Sequence, residues 1–396
     1  MKKIMILGAS ILQLPAIIKA KEMGLKVIAV DMDKDAIGFK YADICLEYST
    51  IDIPNIVKAA KQYNIDGVMT LASDMPMRTV AEVAKELDLV GVSNETALKA
   101  TNKALMRECL QEHSVPIPRF YRIDTYEEYI KIIHGFRDAF IVKPADNSGS
   151  RGVILVKQID DKESIEYAFQ YSKKYSRSGE IVVEEYMEGP EVSVETLSVN
   201  GKVHIIAITD KLTTGAPNFV EMGHSQPTIL PEDIKKNIEE VTTSAVQAIG
   251  IKNGPSHTEI IVTSEGPKVV EIGARLGGDN ITTHLVPLST GIDMVKCCID
   301  IALGYKPDLN PIINMGSAIR YFENNPGKIV GIRGIEKAKD IEGIKQITFV
   351  KNIGDNAQEV NSSSDRIGFI ISQSSSAIDA VKVCKEAESL ILIDIK

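Results

Sequence analysis

The sequence is poor in several features that mark specialised proteins. Its five cysteines form no C-x-x-C pair and are odd in number, so neither a zinc site nor a disulfide framework is indicated. Cys297 and Cys298 lie on an apolar helical run and are expected to be buried packing. The apolar runs all fall short of the roughly 18 residues that a membrane span requires. We therefore expect a cytoplasmic protein of the reducing cytosol, with no membrane partner.

Basic residues are fewer than acidic ones. There are 45 Lys and Arg against 54 Asp and Glu, and the net charge of -9 argues against nucleic acid or an anionic membrane as a partner. Two lysines precede an apolar run at the start, as in a signal peptide, but Gly8 and residues 13–15 interrupt that run, and we expect no signal peptide. A chain of 396 residues suits two or three domains, at roughly 100 to 200 residues each.

The first part of the chain alternates predicted strands and helices. Residues 3–8 and 26–31 are predicted to be buried strands and residues 11–23 a helix, which is the pattern of a βαβ unit. A dinucleotide site would need G-x-G-x-x-G, yet Gly8 is followed by A-S-I-L-Q without the second and third glycines. The pattern predicts a small parallel α/β domain over 1–102, and an NAD-linked oxidoreductase is the weakest functional alternative.

Two helix boundaries in this region are predicted from capping patterns. Ser73 and Asp74 are expected to cap a helix over 76–87, with Pro76 in its first turn. One continuous helix over 94–112 is then expected to lead out of the domain, until nearby prolines end it because they lack the backbone donor.

The most informative stretch is 257–279. Two apolar, β-rich runs flank S-E-G-P at 264–267, so the stretch predicts a hairpin. Glu259 and Glu271 are equidistant from Glu265, and pairing symmetric about that residue places the two carboxylates opposite each other, with Cβ atoms roughly 4.5 to 5.5 Å apart. Like charges so placed repel each other. A hard divalent cation such as Mg²⁺ would be the simplest compensation.

The same face of the predicted hairpin carries further polar residues. By the two-residue period of a strand, Gly273 and Arg275 continue it, and His257 lies across from Gly273. Two acids, a guanidinium and an imidazole would then meet on one patch. The alternative is a solvated hairpin face with scattered charges, which is the commoner situation for a lone pair of strand glutamates.

A glycine-rich turn follows a predicted strand over 140–144. The sequence N-S-G-S-R-G at 147–152 has small residues that let backbone N–H groups approach phosphate oxygens, and Lys143 adds a point charge beside them. A flexible turn next to a surface lysine is the alternative. Farther on, the strands predicted at 181–187 and 191–197 offer an edge that could bind a purine through main-chain groups, or form a surface hairpin.

These motifs occur in an order that resembles the ATP-grasp superfamily, from the N-terminal domain through residue 305. The set is Lys103, V-K-P at 142–144, S-G-S-R-G at 148–152, E-E-Y-M at 184–187 followed by G-P-E-V-S-V-E, then Glu259 and Glu271. Within that superfamily the chain most resembles the carboxylate-amine ligases of the L-amino-acid ligase and carbamoyl-phosphate-synthase-like branch. The segments with Asp210 and Lys211, and E-M-G-H-S-Q-P at 221–227, are similar to the active-site wall of that branch.

The resemblance implies a mixed α/β and α+β fold in three parts. They are an N-terminal parallel α/β domain over 1–102, an ATP-grasp core over 103–305 with a small subdomain at about 118–186 and a large one at about 187–305, and a small C-terminal α/β domain over 306–396.

The resemblance also implies a role for each matching residue, with ATP and Mg²⁺ (or Mn²⁺) as cofactors. For the nucleotide, Lys103 and Lys143 would contact the phosphates, and the loop with Ser148, Gly149, Ser150 and Gly152 would close over them. Glu184 and Met187 would bind adenine, and Glu191 would bind ribose. Glu259 and Glu271 would bind the metal, and Arg275 would contact the transferred phosphoryl group. Lys143 and Arg275 are the predicted catalytic residues. Many family members have E-x-N here, whereas Glu271 is followed by Gly273, so we expect water or a bidentate Glu271 to replace one metal ligand.

The chemistry expected is ligation of a small-molecule carboxylate to an amine through an acyl phosphate, with ATP converted to ADP and phosphate. The alternatives are an ATP-grasp enzyme that acts on a nucleotide precursor or bicarbonate, and a non-catalytic nucleotide-binding homologue. A homodimer is the expected assembly. The candidate substrate contacts are His257 and His224 (wall or base, as for His284), Gly277 and Gly278 (backbone donors or a simple turn), and Arg320 (substrate contact or structural salt bridge).

Overall fold

The computed structural model describes residues 1–136, 139–147, 149, 151–159 and 161–396. Its first part is a four-stranded parallel sheet of order β3-β2-β1-β4. The elements are β1 (Lys3–Leu7), α1 (Leu14–Glu22), β2 (Lys26–Val30), β3 (Ile44–Leu46), α2 (Ile53–Tyr63), β4 (Gly67–Met69), α3 (Met77–Glu86) and α4 (Asn94–Lys99). Four of the five residues in β1 and in β2 are buried, as in a parallel sheet covered on both faces. The predicted parallel sheet is confirmed.

The predicted caps of α3 are wrong. The N-cap residue is Pro76, which makes no side-chain cap bond. Asp74 instead forms an ion pair with Arg275, and the hydroxyl of Ser73 accepts a side-chain amide bond from Gln13. Local sequence favoured capping, but a guanidinium brought in from a distant segment is a stronger partner for a carboxylate than backbone N–H groups.

The helix predicted over 94–112 is also wrong, because it is two helices. The second is α5 (Lys103–Glu112), and the side chain of Asn102 caps it by accepting a bond from the N–H of Leu105 at 3.0 Å. An asparagine at the N-cap favours the start of a new helix, because its side-chain oxygen accepts a bond from an N–H group that has no backbone acceptor in the first turn. The break places Lys103 at the N-terminus of α5.

An antiparallel four-stranded sheet of order β5-β8-β6-β7 follows. Its elements are β5 (Phe120–Ile123), α6 (Tyr126–Ile133), β6 (Phe140–Pro144), β7 (Ile154–Val156), α7 (Lys162–Tyr175) and β8 (Ile181–Glu185). A cluster of aromatic rings that includes Tyr129, Phe140 and Phe169 forms the core between this sheet and its helices. The last residues of β6 and β8, Lys143 and Glu184 among them, therefore rest on a rigid layer.

The largest sheet has eight antiparallel strands in the order β13-β12-β9-β10-β11-β14-β18-β16. Its first five strands in the chain are β9 (Glu191–Val199), β10 (Lys202–Thr213), β11 (Glu221–Gln226), β12 (Gly254–Thr263) and β13 (Gly266–Gly273), with α8 (Glu232–Ile249), a π-helical turn (Ile281–Leu285), α9 (Val286–Thr290) and α10 (Met294–Ala302). Cys297 and Cys298, on α10, are each 3% exposed, which confirms the prediction of buried packing.

The C-terminal stretch adds strands to this same sheet. Its elements are β14 (Gly316–Tyr321), β15 (Gly327–Arg333), α11 (Ile335–Lys339), β16 (Ile344–Phe349), β17 (Asn356–Ala357), β18 (Gly368–Ser374), α12 (Ala377–Leu390) and β19 (Leu392–Ile395). β14 pairs directly with β11, while β17, β15 and β19 form a separate three-stranded sheet. The C-terminal residues are thus joined to the central sheet by backbone hydrogen bonds. Among the described residues, no helix is both long and apolar enough to cross a membrane.

Candidate active site

Two cavities meet on the large sheet, over its strands β10 to β13. The first has a volume of about 160 Å³ and the second about 360 Å³. Lys211, Glu221, Glu259 and Glu271 line both of them. The four strands β10, β11, β12 and β13 therefore supply one polar boundary between the two spaces.

The first cavity gathers most of the residues predicted to bind nucleotide. It is lined by Lys103, Lys143, Gly149, Glu184, Met187, Glu191, Glu259 and Glu271. Ile141, Tyr186, Phe219 and Ile261 add apolar surface, which suits a flat heterocycle beside a few polar groups. Ser148 and Ser150 lie outside the described residues. Gly152 packs against α7, because an added Cβ would lie 2.7 Å from the Cβ of Tyr175.

The second cavity gathers the predicted substrate and phosphoryl-contacting residues. His224, His257, Arg275 and Gly278 line it, together with Asp74, Asp279 and Arg366. Gly277 lies behind that wall and its N–H donates to Glu195 at 3.2 Å, so that backbone donor is already engaged. Gly278 lines the cavity, and its role as a backbone donor stays a prediction.

The two acids of the hairpin face each other as predicted, but through a different register. The ladder pairs Thr263 with Gly266 and Ile260 with Val269, so the turn is centred between residues 264 and 265. The register then shifts, and Glu259 pairs with Glu271. A bulge at Val270 supplies the extra residue. Because a one-residue shift moves a strand's side chains to the opposite face, the bulge is what places Glu271 beside Glu259.

Cations of the chain compensate both carboxylates. Glu271 accepts from the ammonium of Lys103 at 2.9 Å. Glu259 lies 3.3 Å from the Nζ atom of Lys211 and 3.4 Å from Nε2 of His257. Positive groups on α5, on β10 and on β12 itself thus supply part of the charge that the sequence alone assigned to a divalent cation.

Lys211 is the centre of an acidic cluster. Its ammonium, 4% exposed, contacts Glu191 and Glu259 and lies 3.8 Å from Glu221. Burial would lower the pKa of Lys211, but the three carboxylates raise it well above its ordinary value. Three acids therefore share Lys211, and Glu259 also contacts His257. The excess of carboxylates favours binding of further cations at this boundary.

Glu184 lies in a buried ion cluster. Arg107 holds it with Nε at 2.6 Å and Nη2 at 3.2 Å, and Nζ of Lys143 lies 2.7 Å away. Burial opposes ionisation, but the charges of Arg107 and Lys143 lower the pKa of Glu184 to about 2. Burial also lowers the pKa of Lys143, to which Arg107 and Lys103 add. The cluster carries two cations for one anion, so an incoming phosphate would complete its charge balance.

His257 is held between two acids. Its Nδ1 lies 2.5 Å from Glu195, which is fully buried, and Nε2 faces Glu259 at 3.4 Å. Burial would lower the pKa of His257, but the carboxylate of Glu195, and then that of Glu259, raise it to about 9. An imidazole that is already protonated at neutral pH does not accept a proton from substrate. This geometry argues against His257 as the base.

Arg275 is positioned by Asp74 across 201 residues of sequence. Its Nε and Nη2 donate to the two carboxylate oxygens at 2.8 and 3.2 Å. Gly273 makes room for the pair, since an added Cβ would lie 3.0 Å from Asp74 and 3.3 Å from Nε of Arg275. An ion pair therefore occupies the space that an asparagine side chain would need at position 273.

Asp279 and Arg366 close the far side of the second cavity. Both Nη atoms of Arg366 donate to the carboxylate at 2.8 Å, and the guanidinium lies 3.8 Å from the ring centroid of Tyr321. His224 adds a contact to Asp279 through Nε2 at 3.4 Å. This pair connects the C-terminal stretch to the wall of the cavity.

Two predicted substrate candidates lie elsewhere. Arg320 is outside both cavities and donates to the backbone carbonyls of His224 and Ile319 at 3.0 and 2.8 Å. Within the described residues it has no carboxylate within ion-pair distance, so the predicted salt bridge is wrong, and its contacts are those of a strand-supporting side chain. His284 contacts Thr283 at 2.9 Å and lines neither cavity.

Comparison with known families identifies the fold around these cavities. A family model described as the ATP-grasp domain matches residues 136–283, and one described as L-amino acid ligase C-terminal domain 2 matches residues 320–396. The chain contains an ATP-grasp domain. Its C-terminal stretch is similar to that of L-amino acid ligases.

Three similar proteins show the extent of the match. Alanine–anticapsin ligase of Bacillus subtilis (strain 168) is 27% identical over 272 residues, which is 63% of this chain and 56% of that protein. Phosphoribosylamine–glycine ligase of Methanosphaera stadtmanae is 24% identical over 381 residues, which is 87% of this chain and 84% of that protein. The crystal structure of an L-amino acid ligase from Bacillus licheniformis has a TM-score of 0.86 at 25% identity and covers 100% of this chain and 99% of that chain.

An ATP-grasp domain implies a nucleotide-bound metal, and the hairpin acids fit one. Glu259 and Glu271 lie on one face at the boundary of the two cavities. Mg²⁺ in nucleotide sites is commonly held by one or two carboxylates, with phosphate oxygens and water completing the octahedron. In the described part of the chain, no group of three or more His, Cys, Asp or Glu side chains is arranged to hold a metal alone. The donor set therefore suits a metal that arrives with nucleotide.

Sequence reasoning missed several residues of this ATP-grasp site. Arg107, Asp74, Asp279 and Glu195 each contact a predicted site residue through an ion pair or a hydrogen bond, and Arg366 pairs with Asp279. Arg107 had a usable signal, since it follows Lys103 by one helical turn and so shares its face. For Asp74 and Arg366, no pattern in the neighbouring sequence indicates the partner.

Proposed function

We propose that this chain is an ATP-dependent ligase that joins a carboxylate to an amine, on amino-acid-like substrates, through an acyl phosphate. The observation that carries the proposal is the shared boundary of the two cavities. Glu259 and Glu271 stand there between Lys103 and Lys211. A nucleotide in the first cavity would thereby direct its terminal phosphate toward the second.

Nucleotide binding is the first step. The apolar surface around Met187 and Phe219 would take the base, and Glu191 would accept from ribose hydroxyls. Lys103 and Lys143 would face the phosphates, whose negative charge completes the cation-rich cluster around Glu184. Bound Mg²⁺ would neutralise developing charge on the phosphates and would be held by Glu259 and Glu271.

Activation of the carboxylate follows. A carboxylate oxygen of the substrate attacks the γ-phosphorus, the bond to the ADP oxygen breaks, and an acyl phosphate forms. Arg275 lines the cavity where this group would lie, and its guanidinium, fixed by Asp74, is oriented before substrate arrives. Such positioning and charge stabilisation supply most of the catalysis in phosphoryl transfer.

Amide formation completes the reaction. The amine nitrogen attacks the acyl carbon, the bond to phosphate oxygen breaks, and phosphate leaves while the nitrogen loses a proton. Of the three histidines considered, His257 is already protonated and His284 is outside the cavities. His224 lines the second cavity, but its Nε2 faces Asp279 at 3.4 Å and its Nδ1 is buried. We therefore propose that water takes the proton.

A second candidate is ligation of a nucleotide precursor, as the name phosphoribosylamine–glycine ligase indicates for that relative. Its support is the length of the match, 87% of this chain. A non-catalytic homologue is less well supported, because both hairpin acids and their cations are in place. We also propose a cytosolic homodimer; the five free cysteines agree with a reducing compartment.

The test is phosphate release with ATP and Mg²⁺ across all pairs of common amino acids, alone and combined, with mass spectrometry of the products. Release that needs a pair, with an adduct lighter by one water, supports the proposal. Release with a phosphoribosylamine and glycine alone would support the second candidate. ATP binding without turnover on either set would contradict both.

A matched pair of variants on one hairpin separates catalysis from folding. Glu271→Gln should lower phosphate release by about 100-fold or more, because a charged ligand and an ion-pair partner of Lys103 are lost. Glu265 lies at the turn, is 74% exposed and pairs with Lys268, so Glu265→Gln should leave release unchanged. Equal activity of both variants would show that the hairpin acids are not part of the site.

A further inference from the structure

Arg107 is buried at the junction of three elements. It lies on α5, its side chain is 1% exposed, and it donates to both carboxylate oxygens of Glu184 on β8. Nη1 also donates to the carbonyl of Val269 at 2.9 Å, and Nη2 to that of Val270 at 2.7 Å. Four of its interactions thus connect one helix to two strands from different sheets.

The two carbonyls are those of the hairpin bulge. In the described hairpin, Val270 is the residue without a cross-strand partner. A bulge leaves its extra residue outside the regular ladder, and a buried carbonyl without a partner costs about 1 to 3 kcal/mol. The guanidinium of Arg107 supplies a donor to the carbonyl of Val270 and another to that of Val269 before it.

The bulge decides which way Glu271 points. If the register of the pair Ile260 and Val269 continued without a bulge, Thr258 would lie opposite Glu271. Glu271 would then face away from Glu259, since neighbouring strand residues point to opposite faces. An interaction that stabilises the bulge therefore also keeps Glu271 on the same face as Glu259.

The same arginine also fixes the other end of the first cavity. Glu184 is shared between Arg107 and Lys143, so the direction of the Lys143 ammonium depends on where Arg107 holds the carboxylate. One turn earlier on α5, Lys103 binds Glu271 directly. One face of α5 thus contacts both the metal-facing acid and the partner of the phosphate-facing lysine.

We infer that Arg107 is a positioning residue for the nucleotide and its metal, acting through the Val270 bulge and Glu184 rather than by contact with either ligand. This inference rests on the proposed function in one respect, that the first cavity binds ATP. It predicts that metal-assisted binding of ATP depends on a residue of the protein core.

The test compares Arg107→Lys and Arg107→Met in the full chain, with Arg122→Lys as control. Lysine keeps the charge but presents a single point donor in place of a planar fork. Arg122 also pairs with acids, Glu180 and Glu108, but away from the hairpin. Calorimetry measures the affinity for ATP with and without Mn²⁺, so no ligation substrate is needed.

In wild type and Arg122→Lys, Mn²⁺ should raise the affinity for ATP by the same factor. In Arg107→Lys that factor should fall by about 10-fold or more, since a misplaced carboxylate loses its metal contact. In a Glu271→Gln background, Arg107→Lys should cause no further fall in the factor. An unchanged factor in Arg107→Lys, or an additive effect in the double variant, would overturn the inference.

Amide hydrogen exchange gives a readout without any ligand. The amides of residues 269–272 should exchange faster in Arg107→Lys than in wild type, while those of β9 and β10 should not change. Uniformly faster exchange would indicate general destabilisation and contradict a local positioning role. A wild-type protein that binds no ATP would instead refute the proposed function itself.

Discussion

The ammonium of Lys103 lies 2.9 Å from a carboxylate oxygen of Glu271, although 168 positions separate the two residues. The same ammonium donates to the carbonyl of Asn147, beside the glycine-rich turn, at 2.6 Å. A single lysine at the start of α5 therefore connects the hairpin acid to the turn that precedes Gly149. This contact draws together the parts of the site that would surround the phosphates of a nucleotide.

Replacement of Lys103 should weaken nucleotide binding. Lys103→Gln removes a buried ammonium that faces the phosphate region, and we expect ATP affinity to fall by about 10-fold or more, because charge-assisted contacts are the stronger ones. Lys99→Gln is the control, since Lys99 is on the neighbouring helix and pairs with the exposed Glu95. Calorimetric titration with ATP measures both. Equal affinities would show that Lys103 serves only the hairpin.

Much of this arrangement can be predicted from the sequence, although part of the reasoning behind the prediction was wrong. Glu259 and Glu271 were predicted to pair by symmetry about Glu265, and they do pair, but the turn is centred elsewhere and the Val270 bulge restores the register. Bulges depend on what satisfies the freed carbonyl. Here that partner is Arg107, more than 160 residues away by sequence separation. Its helical spacing from Lys103 suggests a shared face, but no local pattern shows that it binds the bulge.

The prediction that a metal compensates the two hairpin acids is limited in the same way, because it depends on contacts between distant residues. Two facing acids do require positive charge, but the sequence does not tell which cations approach them. His257 is near Glu259 because it is two residues away on the same strand, whereas Lys211 is brought there because β10 and β12 flank β9 in the sheet. Likewise, Asp74 resembles a helix cap until Arg275 is brought beside it. Pairing across strands and domains is tertiary information, whereas caps and hairpins are local.

The His257 ion pair should make stability depend on pH. Its pKa is raised from 6.5 to about 9 on folding, so its stabilising contribution is complete below pH 6.5 and is lost as the pH rises through 9. The contribution is at most about 3 kcal/mol. Urea unfolding between pH 6 and 10 should show wild type losing more stability than His257→Gln over this window. Parallel pH profiles would contradict a protonated His257.

The pair of Asp279 and Arg366 should govern substrate binding but not nucleotide binding. Both residues line the second cavity and neither lines the first. Arg366→Lys loses the two-pronged bond to Asp279, so KM for the substrates of an active pair should rise by about 10-fold, with ATP affinity unchanged. Arg333→Lys is the control, since its pair with Asp394 is exposed. A rise in KM for ATP, with no rise for the other substrates, would show that the pair acts on nucleotide binding and contradict the prediction.

Restoring the family asparagine should impair this protein. Many ATP-grasp members have E-x-N where this chain has Glu271 and Gly273, but Gly273 leaves only 3.0 Å between an added Cβ and the carboxylate of Asp74. Gly273→Asn should therefore displace Asp74 from Arg275, and cost about 1 to 3 kcal/mol in stability through overpacking. Phosphate release should fall rather than rise, because Arg275 loses the partner that orients it.

A second substitution shows whether space is the cause. In Asp74→Ala/Gly273→Asn the overlapping carboxylate is absent, so the asparagine should add little further destabilisation relative to Asp74→Ala alone, a non-additive result expected of residues in contact. Thermal unfolding of the four proteins in this cycle gives the coupling. If Gly273→Asn proves as stable and active as wild type, the ion pair of Asp74 and Arg275 does not occupy the space that the asparagine side chain needs. Its orienting role for Arg275 would then need another origin.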